Sequence, residues 1–285
     1  MLPETLVQDI HSLMTLPEVA LRVNELLSDP HSSNRQLEDV IRSDPALTAK
    51  LLKWANSPYF GGNDRVETIS GAVNLIGRNQ LRNLVLGISV ASAFKHISPA
   101  LVDMDVFWHN SVASGIIAKL LAKECGLKDR EHLFIAGLLH GIGKLVMYSR
   151  LPKLCWQVLA HKEKGERAMA DAELLVFGYT HADVGAELLK AWKLPERFQY
   201  ITGHYLNPSP YDQYQPDIDL IHVASAIAAT IAPSANLGAE AQDIAPDFDP
   251  VAWFRLGLDD SRIRPIKMQG IIETLEIVNI VRPRG

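Results

Sequence analysis

Cysteine is scarce in this 285-residue chain, where Cys125 and Cys155 stand far apart and in no CxxC spacing. That excludes a disulfide framework and a zinc ribbon, and makes the reducing cytosol the expected compartment. There is no excess of basic charge either, with Lys+Arg at 28 against Asp+Glu at 33 and a formal net charge of −5. A nucleic-acid backbone would meet no strongly positive face, so no nucleic-acid partner is expected. Apolar runs approaching ~18 residues are missing, and the opening MLPETLVQDI has no basic segment followed by an apolar one. Neither a membrane span nor a signal peptide is expected. GxxxxGK[ST], GxSxG, HExxH and GxGxxG are all absent, which removes the common phosphate loops, serine-hydrolase elbows and zinc-protease helices.

What remains is an ordinary globular composition, 47% hydrophobic and 21% charged, long enough to bury one large core or two modest ones. The apolar residues recur at helical spacing, and no strand alternation is sustained over the first hundred residues. Helices are expected from Thr5 to about Met14 and after Pro17. A third, with Ser33 or Asn34 as cap, covers QLEDVIRS. In DPALTAKLLKWANSPYFG, Asp44 caps, Pro45 takes the first turn, and Ser57-Pro58 ends the helix before a Gly61-Gly62 loop. Asn56 and Ser57, at that stop, are assigned to local capping. Further helices start at Thr68 and near Asn79, after Asp105, at Asp129, after Thr180 and at Pro195. The last ones are DLIHVASAIAATIA, VAWFRLGL and IKMQGIIETLEIV, followed by a frayed RPRG tail. The charge run at residues 162–167, which includes Glu166, is expected to be a solvated helix end.

Residues 133–148, LFIAGLLHGIGKLVMY, form the most apolar stretch that carries polar groups. As one helix it would place His140 and Lys144 on the same face. Gly141 and Gly143 are costly in a helix, so another backbone or a ligand should approach closely there. Taken alone, a histidine on an apolar face is more often a satisfied core residue than a ligand. The same applies to His109 beside Trp108 and to His204 beside Tyr205. His181, at a helix N-terminus, is disfavoured as a cation. Lys144 is placed either against a phosphate or snorkelling from the helix end. His11, His31, His96, His132, His161 and His222 are assigned to surface or packing.

The pattern LP…DPALTAKLLKWANSPYFG…ISGAVNLIGRNQLRNLVLG resembles the N-terminal half of the HDOD domain, an HD-related output module of bacterial signalling proteins. It covers roughly residues 16–90 and continues into an HD-like part as far as about Ala229. There, LLHGIGKLV resembles the LLHDIGKLV signature of the HD superfamily of metal-dependent phosphohydrolases. Gly141 stands where that family has its metal-bridging aspartate, and Ser225 in HVASAIA stands where relatives of the form HVADALA have their final one. By the resemblance, His109, His140, His181 and His204 fall on the positions of the family's histidine ligands.

The resemblance implies an all-α, multi-helix HDOD fold, with an N-terminal helical lobe at 1–98 packed on an HD-like lobe at 99–232, and a helical extension at 233–285. It also implies a bacterial, cytoplasmic signalling module acting through a regulatory protein supplied in trans, in two-component or cyclic di-GMP signalling, with no catalytic residue. Two metal ions about 3.5–4 Å apart need a bridging carboxylate to offset their repulsion, and neutral imidazoles cannot provide one. No cofactor is therefore expected, beyond the open alternative that the four histidines hold a single zinc, iron or manganese ion. Two further readings stay open: a residual metal-dependent phosphohydrolase acting on a phosphoester or nucleotide, and a sensor that binds a phosphorylated small molecule through Lys144 and His140.

Overall fold

Side-chain caps start three of the helices of the first half. In a computed structural model, which describes residues 2–8, 17–29, 31–57, 65–94, 97–128, 131–161, 165–231 and 244–281, Ser33 and Gln36 form a reciprocal capping box, Asp44 accepts from the amides of Ala46 and Leu47, and Thr68 caps through Gly71. Each satisfies amides that the first helical turn leaves unpaired. The helices are α1 (Pro3–Gln8), α2 (Glu18–Ser28), α3 (Asn34–Arg42), α4 (Pro45–Ala55), α5 (Ile69–Ile76) and α6 (Arg78–Ala93). Asn56 Nδ2 donates to the carbonyls of Leu52 and Val66, and Asn56 Oδ1 accepts from the Val66 amide. It therefore closes α4 and holds the segment entering α5.

The second half contains α7 (Met104–Glu124), α8 (Glu131–Leu139), α9 (Ile142–Arg150), α10 (Pro152–Leu159), α11 (Glu166–Phe177), α12 (His181–Ala191), α13 (Glu196–His204) and α14 (Gln215–Ala229), followed by α15 (Pro250–Leu256) and α16 (Ile263–Val281). The fold is all-α, and the described residues include no strand. Asp103, rather than Asp105, caps α7, so Asp105 sits inside the first turn. Among the described residues, no helix is long and apolar enough to cross a membrane.

Helix α7 is the axis of the packing: α8, α14 and α16 all lie against it, and α16 also touches α4 and α6. A continuous apolar core runs from Leu6 to Ile280 through these contacts. Trp54 of α4 meets Phe134 of α8 edge to face at 5.4 Å, tying the first half of the chain to the second.

Several sequence expectations lie outside the described residues: the helix end at Met14, His11, His96, the stop at Pro58 with Gly61 and Gly62, the start at Asp129, residues 162–164 and the tail at 282–285.

Candidate functional site

The apolar stretch 133–148 is two helices, not one. It breaks at His140 and Gly141, and Gly141 caps α9 with φ −91° and ψ 6°. The break re-aims the chain so that His140 and Lys144 still converge, from a turn and from the first turn of a new helix. The close approach expected at the glycines is real at Gly143. A Cβ there would lie 1.9 Å from the His181 carbonyl oxygen and 2.6 Å from the Gly185 amide nitrogen, so α9 and α12 pack backbone to backbone. Gly141 is different: a Cβ would meet only the Phe107 ring, at 3.7 Å.

Against this junction sits a cluster that the sequence did not reveal. Helix α11 buries an acid and exposes a leucine: Glu173 is 3% exposed, whereas Leu175 is 88% exposed. Glu166 and Glu173 are seven residues apart, two helical turns, and so share one face with Met169 and Ala170. Carboxylates at the apolar period of ERAMADAELLVF were the available signal. Glu166 is not the solvated residue expected from the charge run, because its Oε1 accepts a 2.6 Å hydrogen bond from Lys144 Nζ. The two side chains are only 18% and 24% exposed.

His181 is fully buried at the start of α12, which Thr180 and Asp183 cap reciprocally. Its backbone amide and its Nδ1 both donate to Glu173 Oε2, at 2.8 and 2.7 Å. Its Nε2 is 2.7 Å from the hydroxyl of Tyr205, which also donates to Glu166 Oε1 at 3.0 Å. Tyr205 has one proton for these two neighbours, so it can donate to only one of them at a time. His140 is buried edge-on to the Tyr205 ring at 4.9 Å, and its Nδ1 bonds the Gly137 carbonyl at 2.5 Å.

The charges of these groups answer one another. Burial lowers the pKa of His140 to about 4, with Glu166 only partly opposing. Burial alone would raise Glu166, yet Lys144, His140 and His181 hold it well below the usual carboxylate range. Glu173 is lowered against its own burial by the charge and hydrogen bonds of His181. Lys144 is pulled down by burial but carried above its ordinary value by Glu166, Tyr148 and Glu173. Burial and the Glu166 charge push the Tyr205 phenol up.

The structure brings His140, His181 and Lys144 together. His109 is buried on α7 with its Nδ1 unpartnered, and burial lowers its pKa. His204 is exposed, stacked on Tyr200 at 4.0 Å and bonded through Nδ1 to that residue's carbonyl. Its neighbour Tyr205 is the side chain that turns inward. Ser225 is buried but donates to the His222 carbonyl of its own helix.

As a metal centre this set does not fit. Both ring nitrogens of His181 are engaged, Gly141 and Ser225 supply no anion, and an ammonium already holds Glu166. Among the described residues, no group of three or more His, Cys, Asp or Glu side chains is arranged to hold an ion.

A family model for the HDOD domain matches residues 13–208. The chain belongs to the HDOD domain family. An uncharacterized protein of Treponema pallidum (strain Nichols) is 27% identical to this HDOD chain over 220 residues, 76% of this chain and 42% of that protein. The chain thus spans less than half the length of that relative. Among solved structures, a candidate phosphohydrolase from Shewanella amazonensis SB2B superposes with a TM-score of 0.75 at 23% identity, over 97% of both chains. A candidate signal transduction protein from Marinobacter aquaeolei VT8 gives 0.73 at 23% identity, over 96% of this chain and 61% of that one. At such identities these likenesses establish the shared fold and nothing finer.

Proposed function

We propose that this HDOD protein is a non-catalytic regulatory module of bacterial signalling, acting in the cytoplasm through a protein partner supplied in trans. The observation that carries this reading is the closed state of the ancestral pocket. Its two carboxylates are bound by Lys144 and His181, and the positions that should supply metal-bridging anions are Gly141 and Ser225. A pocket whose charges are all answered from within has no unfilled coordination position to polarise a phosphoester or to lower the pKa of a water. The Marinobacter neighbour, described as a candidate signal transduction protein, is in keeping with a signalling role. The two-component and cyclic di-GMP systems are the partner classes we favour.

The test is turnover. Purified protein supplied with manganese or ferrous iron is assayed against phosphodiesters and nucleotides. The reading expects rates equal to the buffer blank; hydrolysis that disappears on His140→Ala would overturn it.

A further inference from the structure

We infer that His222 is a proton-sensitive latch: its neutral ring pins the start of α15 to α14 and to the C-cap of α13, and protonation releases that pin. Two hydrogen bonds define it. The Asp249 amide donates to His222 Nε2 at 2.8 Å, and His222 Nδ1 lies 2.8 Å from the Tyr205 carbonyl oxygen. An amide can only donate and a carbonyl can only accept, so Nε2 is bare and Nδ1 carries the proton. An imidazolium has no lone pair left on Nε2. It keeps the bond to Tyr205 and loses the one to Asp249. The latch works in the same way whether or not the pocket turns over a substrate.

The Asp249 amide has no other acceptor close in sequence. Asp249 is the N-cap of α15, and its carboxylate accepts from the Val251 amide. In the capping boxes of α3 and α12 the side chain three residues on meets the N-cap amide. In α15 that position is Ala252, which offers nothing, so His222 supplies the acceptor from another helix. The far end of α15 is held from the same face of α14, because Asp219 precedes His222 by three residues. Arg255 donates through Nε and Nη2 to the two oxygens of the fully buried Asp219, at 2.9 and 2.6 Å. Ala252 and Trp253, between the two tethers, are buried. Of the two tethers, the histidine is the one whose ordinary pKa lies near neutrality.

Burial lowers the pKa of His222, opposed by its bond to the Tyr205 carbonyl and by the charges of Glu166, Asp249 and Asp219. Lys144 answers Glu166, and Arg255 answers Asp219. The other helices packed on α14 carry His109 on α7, His132 on α8 and Arg197 on α13, the last two bonded to Asp217, and Lys267 on α16. With the latched value below the ordinary 6.5, the latch is closed at neutral pH and opens as the pH falls. The open form takes up a proton that the closed form refuses, so the opening constant rises by up to about tenfold per pH unit in that window.

The experiment is amide hydrogen exchange on the full chain from about pH 7.5 to about pH 5, with the intrinsic pH dependence of exchange divided out. Protection in 249–256 is expected to fall by up to about tenfold per pH unit below 6.5, and to remain lower than that in 181–191. His222→Gln places an oxygen near the Nε2 position that accepts without titrating, so it should make 249–256 insensitive to pH. His222→Asn reaches only the Nδ1 position and should leave that segment poorly protected at both ends of the range. Unchanged protection in the parent, an equal fall in 249–256 and 181–191, or the same acid response in folded His222→Gln would overturn the latch. Ring nitrogen shifts of His222 in the parent need no variant: they should show the Nδ1–H tautomer at about pH 7.5, and the Nε2–H tautomer would overturn it.

Discussion

Tyr205 and His181 are joined by a 2.7 Å hydrogen bond between the phenol oxygen and Nε2, inside a region where neither side chain reaches solvent. The same hydroxyl touches Glu166, so this one oxygen links the imidazole to the acid bound by Lys144. Tyr205→Phe keeps the ring that packs on His140 and removes the link. It strands a buried ring nitrogen, which should cost about 1–3 kcal/mol, read as a lower urea midpoint with an unchanged slope.

The Lys144–Glu166 pair should behave as a unit. Either Lys144→Met or Glu166→Gln leaves a mostly buried charge without its partner, at a cost of about 2 kcal/mol each, between surface and fully buried ion pairs. The double variant should cost far less than the sum of the two. A double-mutant cycle in urea checks this; simple additivity would mean that the two groups are coupled only on paper.

Much of the fold was legible before the structure. Ser33, Asp44, Thr68 and Thr180 cap the helices that their positions predict, because a cap is a local hydrogen bond that sequence order alone determines. The break at His140 was not legible, since an apolar run gives no sign of which face each turn buries. Glu166 and Glu173 were hidden for a related reason. A helix with charged ends looks solvated, and only tertiary packing shows that α11 turns its acids inward and Leu175 outward. His204 and Tyr205 differ by a single helical step, about 100° of rotation; the family pattern pointed to His204, whereas Tyr205 is the side chain that enters the cluster.

The two glycines of the HGIGK segment should answer substitution in opposite ways. Gly143→Ala drives a methyl group into the His181 carbonyl at 1.9 Å, backbone that cannot yield, so a loss above ~4 kcal/mol or failure to fold is expected. Gly141→Ala meets only Phe107 at 3.7 Å, at backbone angles open to any residue, and should be neutral or up to ~1 kcal/mol stabilising. Thermal melts of the two variants separate these outcomes, and the same free space means that Gly141→Asp should fold.

Stability should fall early on acidification. His140 has its pKa lowered from 6.5 to about 4, so the unfolded chain takes up a proton that the folded one refuses. That contribution is complete above pH 6.5 and is lost as the pH falls toward 4, about 3 kcal/mol in all. Glu166 and Glu173, both held below their ordinary 4.5, add a second loss below that pH. Urea midpoints measured across this range should decline in two stages. His140→Gln should flatten the upper one, and an unchanged upper stage in that variant would assign it to other groups.

The most direct test is the metal content of protein isolated without chelator, measured by inductively coupled plasma mass spectrometry alongside protein concentration. A pocket with no anion at positions 141 and 225 predicts zinc, iron and manganese far below one atom per chain. Two metal ions per chain, lost together when His140 is replaced, would contradict it.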